Sequence, residues 1–272
     1  MTATDIGAVE GSPLTADGLR QFQEDGFTVL RGLFGPDEID LLRAEFTALH
    51  AAGPVPGHFQ PRAGTDPLAA YPRVMQPHEI NERARRVLLD ARLRTVLEVL
   101  LGEEVLAAQS MFYFKPPGAR GQALHQDNFY LRVEPGTCVA AWVACDLIDR
   151  DNGGLEVVPG THLMDLFCPE EADADVSFAR EYVAPPEGLT AVPVDMAPGD
   201  VLFFNGSVVH GSQPNRTADR FRRSFIGHYV GRSAERIGAY YRTMAMSGER
   251  VVLPESEGAG PCGTEFAPQG PH

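Results

Sequence analysis

Between residues 105 and 229 the chain breaks into short apolar runs, each closed by a turn signal, and few folds accept that pattern. Residues 105–115 are apolar and aromatic and end at Pro116-Pro117-Gly118. Residues 139–147 form a second run, and Asn152-Gly153-Gly154 turns into 155–158. Residues 189–195 read as a strand, and Pro198-Gly199-Asp200 turns into 201–204. Asn205-Gly206 is a tight-turn dipeptide leading into 207–212, and 222–229 is the last run. Many short strands at close spacing imply an antiparallel sheet that closes on itself or pairs face to face, since each strand needs partners on its edges. The expected class is therefore mainly β with flanking helices.

The helices precede the strands. Thr15 and Asp17 can cap a short helix carrying Leu19 and Phe22, and residues 26–30 then alternate like a strand. Gly35-Pro36-Asp37 starts a second helix that runs to about Ala51, with Ile39, Leu42, Phe46 and Leu49 on one face. Residues 83–101 read as one amphipathic helix. Residues 53–75 are broken by eight Pro and Gly residues, and 163–190 are acidic with weak periodicity. Stretches of that kind are often binding loops or lids, though a plain surface connection is an equal reading of 53–75. One domain over 14–253 is expected, between a disordered tail at 1–13 and a loosely ordered one at 254–272.

Charge narrows the partners. The 37 acidic residues against 23 basic give a net charge of −14, which repels a nucleic-acid backbone and disfavours anionic membranes. No apolar stretch reaches the roughly 18 residues of a membrane span. The first thirteen residues lack the apolar core of a signal peptide, so a cytoplasmic protein with reduced thiols is expected at Cys138, Cys145, Cys168 and Cys262. Oligomeric state has no signature in the sequence.

Residues 121–130, GQALHQDNFY, carry the chemistry. In a strand His125 and Asp127 would point to one face, an imidazole beside a carboxylate. Those are two members of the two-His-one-carboxylate set that holds non-haem Fe(II) with coordination positions left open. Alone the pair is weak, because a strand-end His bonded to a neighbouring acid looks the same. A third ligand must come from elsewhere. His50, His58, His78, His162 and His272 lie at a helix end, in the Pro-rich loop, ahead of a helix, in a turn and at the terminus. His228 lies in the last strand and reads as a packed strand residue. His210 follows the tight turn on a strand, and in a jelly roll the first and last strands are neighbours.

Four segments together resemble one family: LHQD at 124–127, AWVACDLIDRDNGGLEVVPGTH at 141–162, PGDVLFFNGSVVHGSQPN at 198–215 and RFRRS at 220–224, with a family-like 26–34 ahead of them. The chain resembles the phytanoyl-CoA dioxygenase family of Fe(II)/2-oxoglutarate oxygenases, which also holds ectoine hydroxylase, over about residues 15–230. The resemblance implies a double-stranded β-helix, a cupin-like jelly roll. It implies His125, Asp127 and His210 as the iron ligands and 2-oxoglutarate and O2 as co-substrates. An Asp at the carboxylate position implies hydroxylation or another oxidation rather than halogenation, because related halogenases carry a small residue there.

The resemblance also implies an Arg for the far carboxylate of 2-oxoglutarate, on the strand after the distal His. The segment is one residue longer here, so Arg222 is the match, with Arg220 and Arg223 as rivals; strand alternation turns Arg223 away from the face of Arg222. Arg suits this contact through its two-pronged fork. Ser212, two after His210, should share its face. Trp142 and Met111 match family positions lining the co-substrate pocket, though plain core packing is an equal reading, and Gln109 is a weaker polar candidate beside them.

The expected activity is oxidation, foremost hydroxylation, of a C–H bond in a small-molecule metabolite, such as a natural-product intermediate. Oxidative cyclisation, desaturation and a non-catalytic metal- or 2-oxoglutarate-binding protein are the alternatives, with a cupin-type isomerase further off. The acidic balance favours a neutral or cationic substrate over an acyl-CoA. The punctuated stretches 53–73 and 164–186 are expected to flank the iron site as covers.

Overall fold

The computed structural model describes residues 11–257 and Cys262; the rest of the two expected tails, 1–10 and most of 258–272, lies outside the described residues. The N-terminal part contributes α1 (Ala16–Asp25), β1 (Phe27–Leu30), α2 (Pro36–Ala52), α3 (Pro67–Ala70), β2 (Val74–Met75), α4 (Glu82–Leu88) and α5 (Ala91–Leu101). Then come β3 (Val105–Tyr113), β4 (Gln122–His125), α6 (Asn128–Leu131), β5 (Cys138–Ala144), β6 (Leu155–Val158), β7 (Glu170–Glu171) and β8 (Glu181–Tyr182). The chain closes with β9 (Val192–Pro193), β10 (Val201–Asn205), β11 (Val209–Ser212), β12 (Ser224–Gly231) and β13 (Met244–Ala245).

Two antiparallel sheets make the barrel. The larger has the order β1-β10-β5-β12-β3-β13, with β2 also on β3, and the smaller has the order β4-β11-β6-β9. Side-chain alternation sorts the large sheet into two cores. On one face Val201, Phe203, Val143, Phe225 and Phe112 pack under the helices, where Phe46 of α2 stacks on Phe112 with ring centroids 3.8 Å apart. On the other face Leu202, Phe204, Trp142, Met111 and Ile226 point into the barrel against Leu155 and Val157 of the smaller sheet. Burial on both faces is why 139–144 reads as an unbroken apolar run instead of an alternating one.

Three expectations need correction. Residues 83–101 are two helices. Asn81 Oδ1 accepts from Ala84 N to start α4, and Asp90 Oδ1 accepts from Arg92 N to start α5. The Tyr229 hydroxyl donates to Leu88 O at 2.7 Å, taking a carbonyl that a continuous helix would use itself. The run at 105–115 stops at Tyr113, and Lys115 adopts φ +36 ahead of Pro116. The four thiols are not all free: Cys168 and Cys262 form a disulfide across 94 residues of sequence, with Cα atoms 5.2 Å apart, while Cys138 and Cys145 are buried and free.

The acidic insertion folds as the β7–β8 hairpin and lies along the outside of the smaller sheet. Val183 N donates to Leu124 O, and Phe178 N to Gly121 O. Gly26 shows how tightly the first strand is seated: its φ of +86 caps α1, and a Cβ there would meet the His162 ring at 2.6 Å. Among the described residues no helix is long and apolar enough to cross a membrane.

Candidate metal centre

His125 is the last residue of β4, and His210 lies opposite it in the β4–β11 register. That pairing sets the two imidazoles side by side, with ring centroids 4.3 Å apart. Asp127 arrives differently from the strand expectation. β4 has ended, and Asp127 has helical backbone angles at the start of α6. An Asp there ordinarily caps the helix, yet its carboxylate makes no cap bond and turns inward. A turn, not strand alternation, therefore aims it.

Asp127 Oδ1 lies 3.4 Å from His125 Nε2 and 3.5 Å from His210 Nε2. All three side chains are buried. Among the described residues this is the group of three or more His, Cys, Asp or Glu side chains close enough to share a metal ion. An octahedral ion with bonds of about 2.1 Å sets adjacent donors about 3 Å apart, so small side-chain shifts would close the set on one ion. The far nitrogens fit the same role. His125 Nδ1 lies 2.8 Å from Ala123 O and His210 Nδ1 3.1 Å from Val208 O. A carbonyl can only accept, so each Nδ1 carries the proton and each Nε2 presents its lone pair inward. Burial holds the His210 imidazole in its neutral, ligating form, with its pKa down to about 4 despite the opposing pull of Asp127.

The cavity beside these atoms is lined by Tyr113, Gln122, Trp142, Phe178, Phe204, Ser212 and Arg222 among others. Arg222 is 4% exposed, donates to Gly153 O and Ser224 Oγ at 3.1 Å each, and lies 5.3 Å from the Trp142 ring centroid. Its rivals are already engaged: Arg220 is bonded twice to Asp149 and Arg223 twice to Asp146. Met111 and Gln109 are fully buried on the barrel side of β3 and do not line the cavity; Met111 lies behind Tyr113, whose hydroxyl is 3.7 Å from its sulfur.

Sequence reasoning missed several residues. Lys115 Nζ donates to Ser212 Oγ at 2.9 Å and to the carbonyls of Gly153 and Gln213. Burial, with the Arg222 charge adding to it, holds its pKa well below the usual lysine value. Gly153 is needed between them, because a Cβ there would sit 2.6 Å from Lys115 Cε. Gln122 Nε2 donates to His125 Nε2 at 3.1 Å. Phe178 reaches the cavity from the insertion. From the Pro-rich loop, Arg73 Nη1 donates to the Tyr113 hydroxyl at 3.2 Å. His228 Nε2 lies 2.9 Å from Asp127 Oδ2. The signal for His228 was present: it is six residues after Arg222, which lies two residues ahead of β12, so continued alternation puts both on the barrel side.

Comparisons with known proteins agree with this architecture. The phytanoyl-CoA dioxygenase (PhyH) family profile matches residues 22–224. The peroxisomal phytanoyl-CoA dioxygenase of Rattus norvegicus is 27% identical over 240 residues, covering 81% of this chain and 70% of the relative. The ectoine dioxygenase of Stutzerimonas stutzeri is 28% identical over 227 residues, covering 77% and 74%. Among solved structures, EctD from S. alaskensis with 2-oxoglutarate and 5-hydroxyectoine superposes with a TM-score of 0.67 at 24% identity, covering 92% of this chain and 90% of that one. The non-haem α-ketoglutarate-dependent carbocyclase SnoK from nogalamycin biosynthesis gives 0.65 at 21% identity, covering 82% and 86%. With the profile covering about three quarters of the chain and all three candidate ligands, the chain belongs to the phytanoyl-CoA dioxygenase family of Fe(II)/2-oxoglutarate-dependent dioxygenases.

Proposed function

We propose that this protein uses Fe(II), 2-oxoglutarate and O2 to oxidise, foremost to hydroxylate, a C–H bond of a small-molecule metabolite. The observation that carries the reading is the meeting of His125 Nε2, Asp127 Oδ1 and His210 Nε2 in one buried corner, with Arg222 and Ser212 on the wall of the same cavity. When bound there, iron and 2-oxoglutarate supply an oxidant by coupling loss of CO2 from the oxoacid to cleavage of O2.

The chain's own residues have separable tasks. The two imidazoles and Asp127 would hold the metal, and a three-residue donor set would leave positions for the co-substrates. Arg222 offers its fork to the far carboxylate of 2-oxoglutarate, and Ser212, fixed by Lys115, offers a hydroxyl to the same group. Trp142, Phe204, Leu155 and Ile226 exclude water around it. Hydroxylation is favoured over halogenation because Asp127 fills the position a halide would need.

For the substrate, we propose a neutral or cationic metabolite. Glu170, Glu171, Asp173 and Asp175 of the insertion are exposed, and their field disfavours a phosphorylated partner. Nearer the cavity, Arg73 reaches the Tyr113 hydroxyl and Glu181 accepts from Tyr130, so groups of both signs are at hand for a polar, net-neutral molecule. The same fold in a carbocyclase and in the epimerase SnoN keeps oxidative cyclisation as the second reading. The test is succinate formation from 2-oxoglutarate, with and without Fe(II), against a metabolite panel. Iron-dependent succinate release raised by one panel member supports the reading; absence of any iron-dependent succinate would leave a non-catalytic binding protein.

A further inference from the structure

Asp127 uses its two oxygens for different purposes. Oδ1 faces His125 Nε2 and His210 Nε2 at 3.4 and 3.5 Å. Oδ2 faces His228 Nε2 at 2.9 Å, a full hydrogen bond in which the ring N–H donates to the carboxylate. His228 and Asp127 are both fully buried, so water does not compete for that oxygen. The ring comes from the middle of β12, flanked in register by Gln109 of β3 and Ala140 of β5, so its Cα is fixed by ladders on both sides. His228 is not a member of the converging donor set; its ring nitrogen addresses the oxygen that set does not use.

A carboxylate can bind a metal through one oxygen or both. With both, Asp127 would occupy two positions, and a three-residue centre would lose one of the three it must keep for a chelating oxoacid and O2. A donor on Oδ2 opposes that swing by tying the second oxygen back to the sheet. It also fixes the plane of the carboxylate, which the α6 turn alone leaves free to rotate. We propose that His228 is a positioning residue of the metal centre, whose N–H holds Asp127 as a one-oxygen ligand. Outer partners of this kind commonly matter 10–100-fold for metal affinity, by about that order of magnitude. The inference rests on the metal-centre reading above.

The test uses the full chain, with Co(II) and Mn(II) as probes. His228→Met keeps the volume and removes the donor, and His228→Gln keeps an N–H at nearly the same reach. Expected for His228→Met is a Co(II) affinity lowered about 10-fold or more, with a changed Co(II) visible spectrum as the coordination number shifts. Expected for His228→Gln is recovery to within a few-fold, with the wild-type spectrum. If His228→Met binds Co(II) with wild-type affinity and spectrum, the inference is overturned. Should His228→Met not fold, a crystal structure of the wild-type protein with Mn(II) decides. One Asp127 oxygen on the metal and the other still bonded to His228 supports it; two oxygens on the metal, or a rotated His228, overturns it. A wild-type chain that binds neither ion sinks the metal-centre reading itself, a failure separate from that of His228.

Discussion

Arg120 donates to Asp66 Oδ2 at 2.8 Å, and the same guanidinium reaches the carbonyl oxygens of Ala174 and Ser177. Asp66 belongs to the Pro-rich loop and Ala174 and Ser177 to the acidic insertion, so one side chain ties the two punctuated segments together. Each segment also sends a side chain toward the cavity, Arg73 from the first and Phe178 from the second, and the Arg73 guanidinium lies 6.0 Å from the Phe178 ring centroid. The Arg120–Asp66 pair is about one-third exposed on each side, so it should add little to global stability. Its effect is local. Arg120→Ala is expected to leave the melting temperature within a few degrees while limited proteolysis cuts both segments faster. Unchanged cleavage in either segment would remove Arg120 as their clasp.

Arg222, Arg220 and Arg223 stand close in sequence but in different company. Arg222→Ala is expected to raise the 2-oxoglutarate concentration for half-maximal turnover by orders of magnitude, since a desolvated carboxylate would lose a bidentate cation. Arg220→Ala should leave it near wild type, because its partner Asp149 is on the surface side. Arg223→Ala should act on stability instead, because Asp146, 9% exposed, loses its two bonds from the Arg223 side chain and keeps only the residue-223 backbone N–H and a longer contact with Arg43. Titrating 2-oxoglutarate in all three variants checks the order, and a large shift in Arg220→Ala with none in Arg222→Ala would reverse the assignment.

His210→Ala should abolish stoichiometric Fe(II) or Co(II) binding, because two remaining donors cannot hold a divalent ion against water. The cavity it leaves lies beside Phe204, whose ring centroid is 4.4 Å from that of His210, so some loss of stability is expected as well. Metal content by elemental analysis after dialysis gives the answer independently of any substrate. Full metal occupancy in the folded variant would dismiss His210 as a ligand.

The sequence made the β architecture legible because its turn signals are local: Asn205-Gly206 and Pro198-Gly199-Asp200 fall where the chain turns around β10. The break between α4 and α5 was hidden because only Asp90 marks it locally and its other cause is distant. The Tyr229 hydroxyl comes from the other end of the fold, and the apolar period runs straight through Leu89 and Asp90. At the site, His125, Asp127 and His210 could be picked out by residue type and order. The outer partners could not, since a Lys before two prolines and a His inside an apolar strand each have a bland reading. Even spacing sets His228 and Arg222 on one side, but only the fold shows that the His228 ring meets Asp127. The Cys168–Cys262 link, between an insertion and the C-terminal segment, has no spacing rule from which to read it.

His78 gives the protein a predictable acid sensitivity. It is 4% exposed, and its Nδ1 lies 2.7 Å from Ser110 Oγ. Burial, helped by the charges of Arg85 and His58, lowers its pKa from 6.5 to about 4. The folded state therefore binds this proton less readily than the unfolded chain. Stability is full above about pH 6.5, falls as the unfolded chain takes up the proton, and levels off below about pH 4. A shift of that size corresponds to at most about 3 kcal/mol. In the metal-free protein His210 acts in the same direction over the same window. Thermal melts from pH 7 to pH 4 should show a steep decline, and His78→Gln, which keeps a polar partner for Ser110 but cannot titrate, should flatten it by roughly half. A variant whose melting temperature falls with pH as steeply as the wild type would show that His78 does not carry this sensitivity.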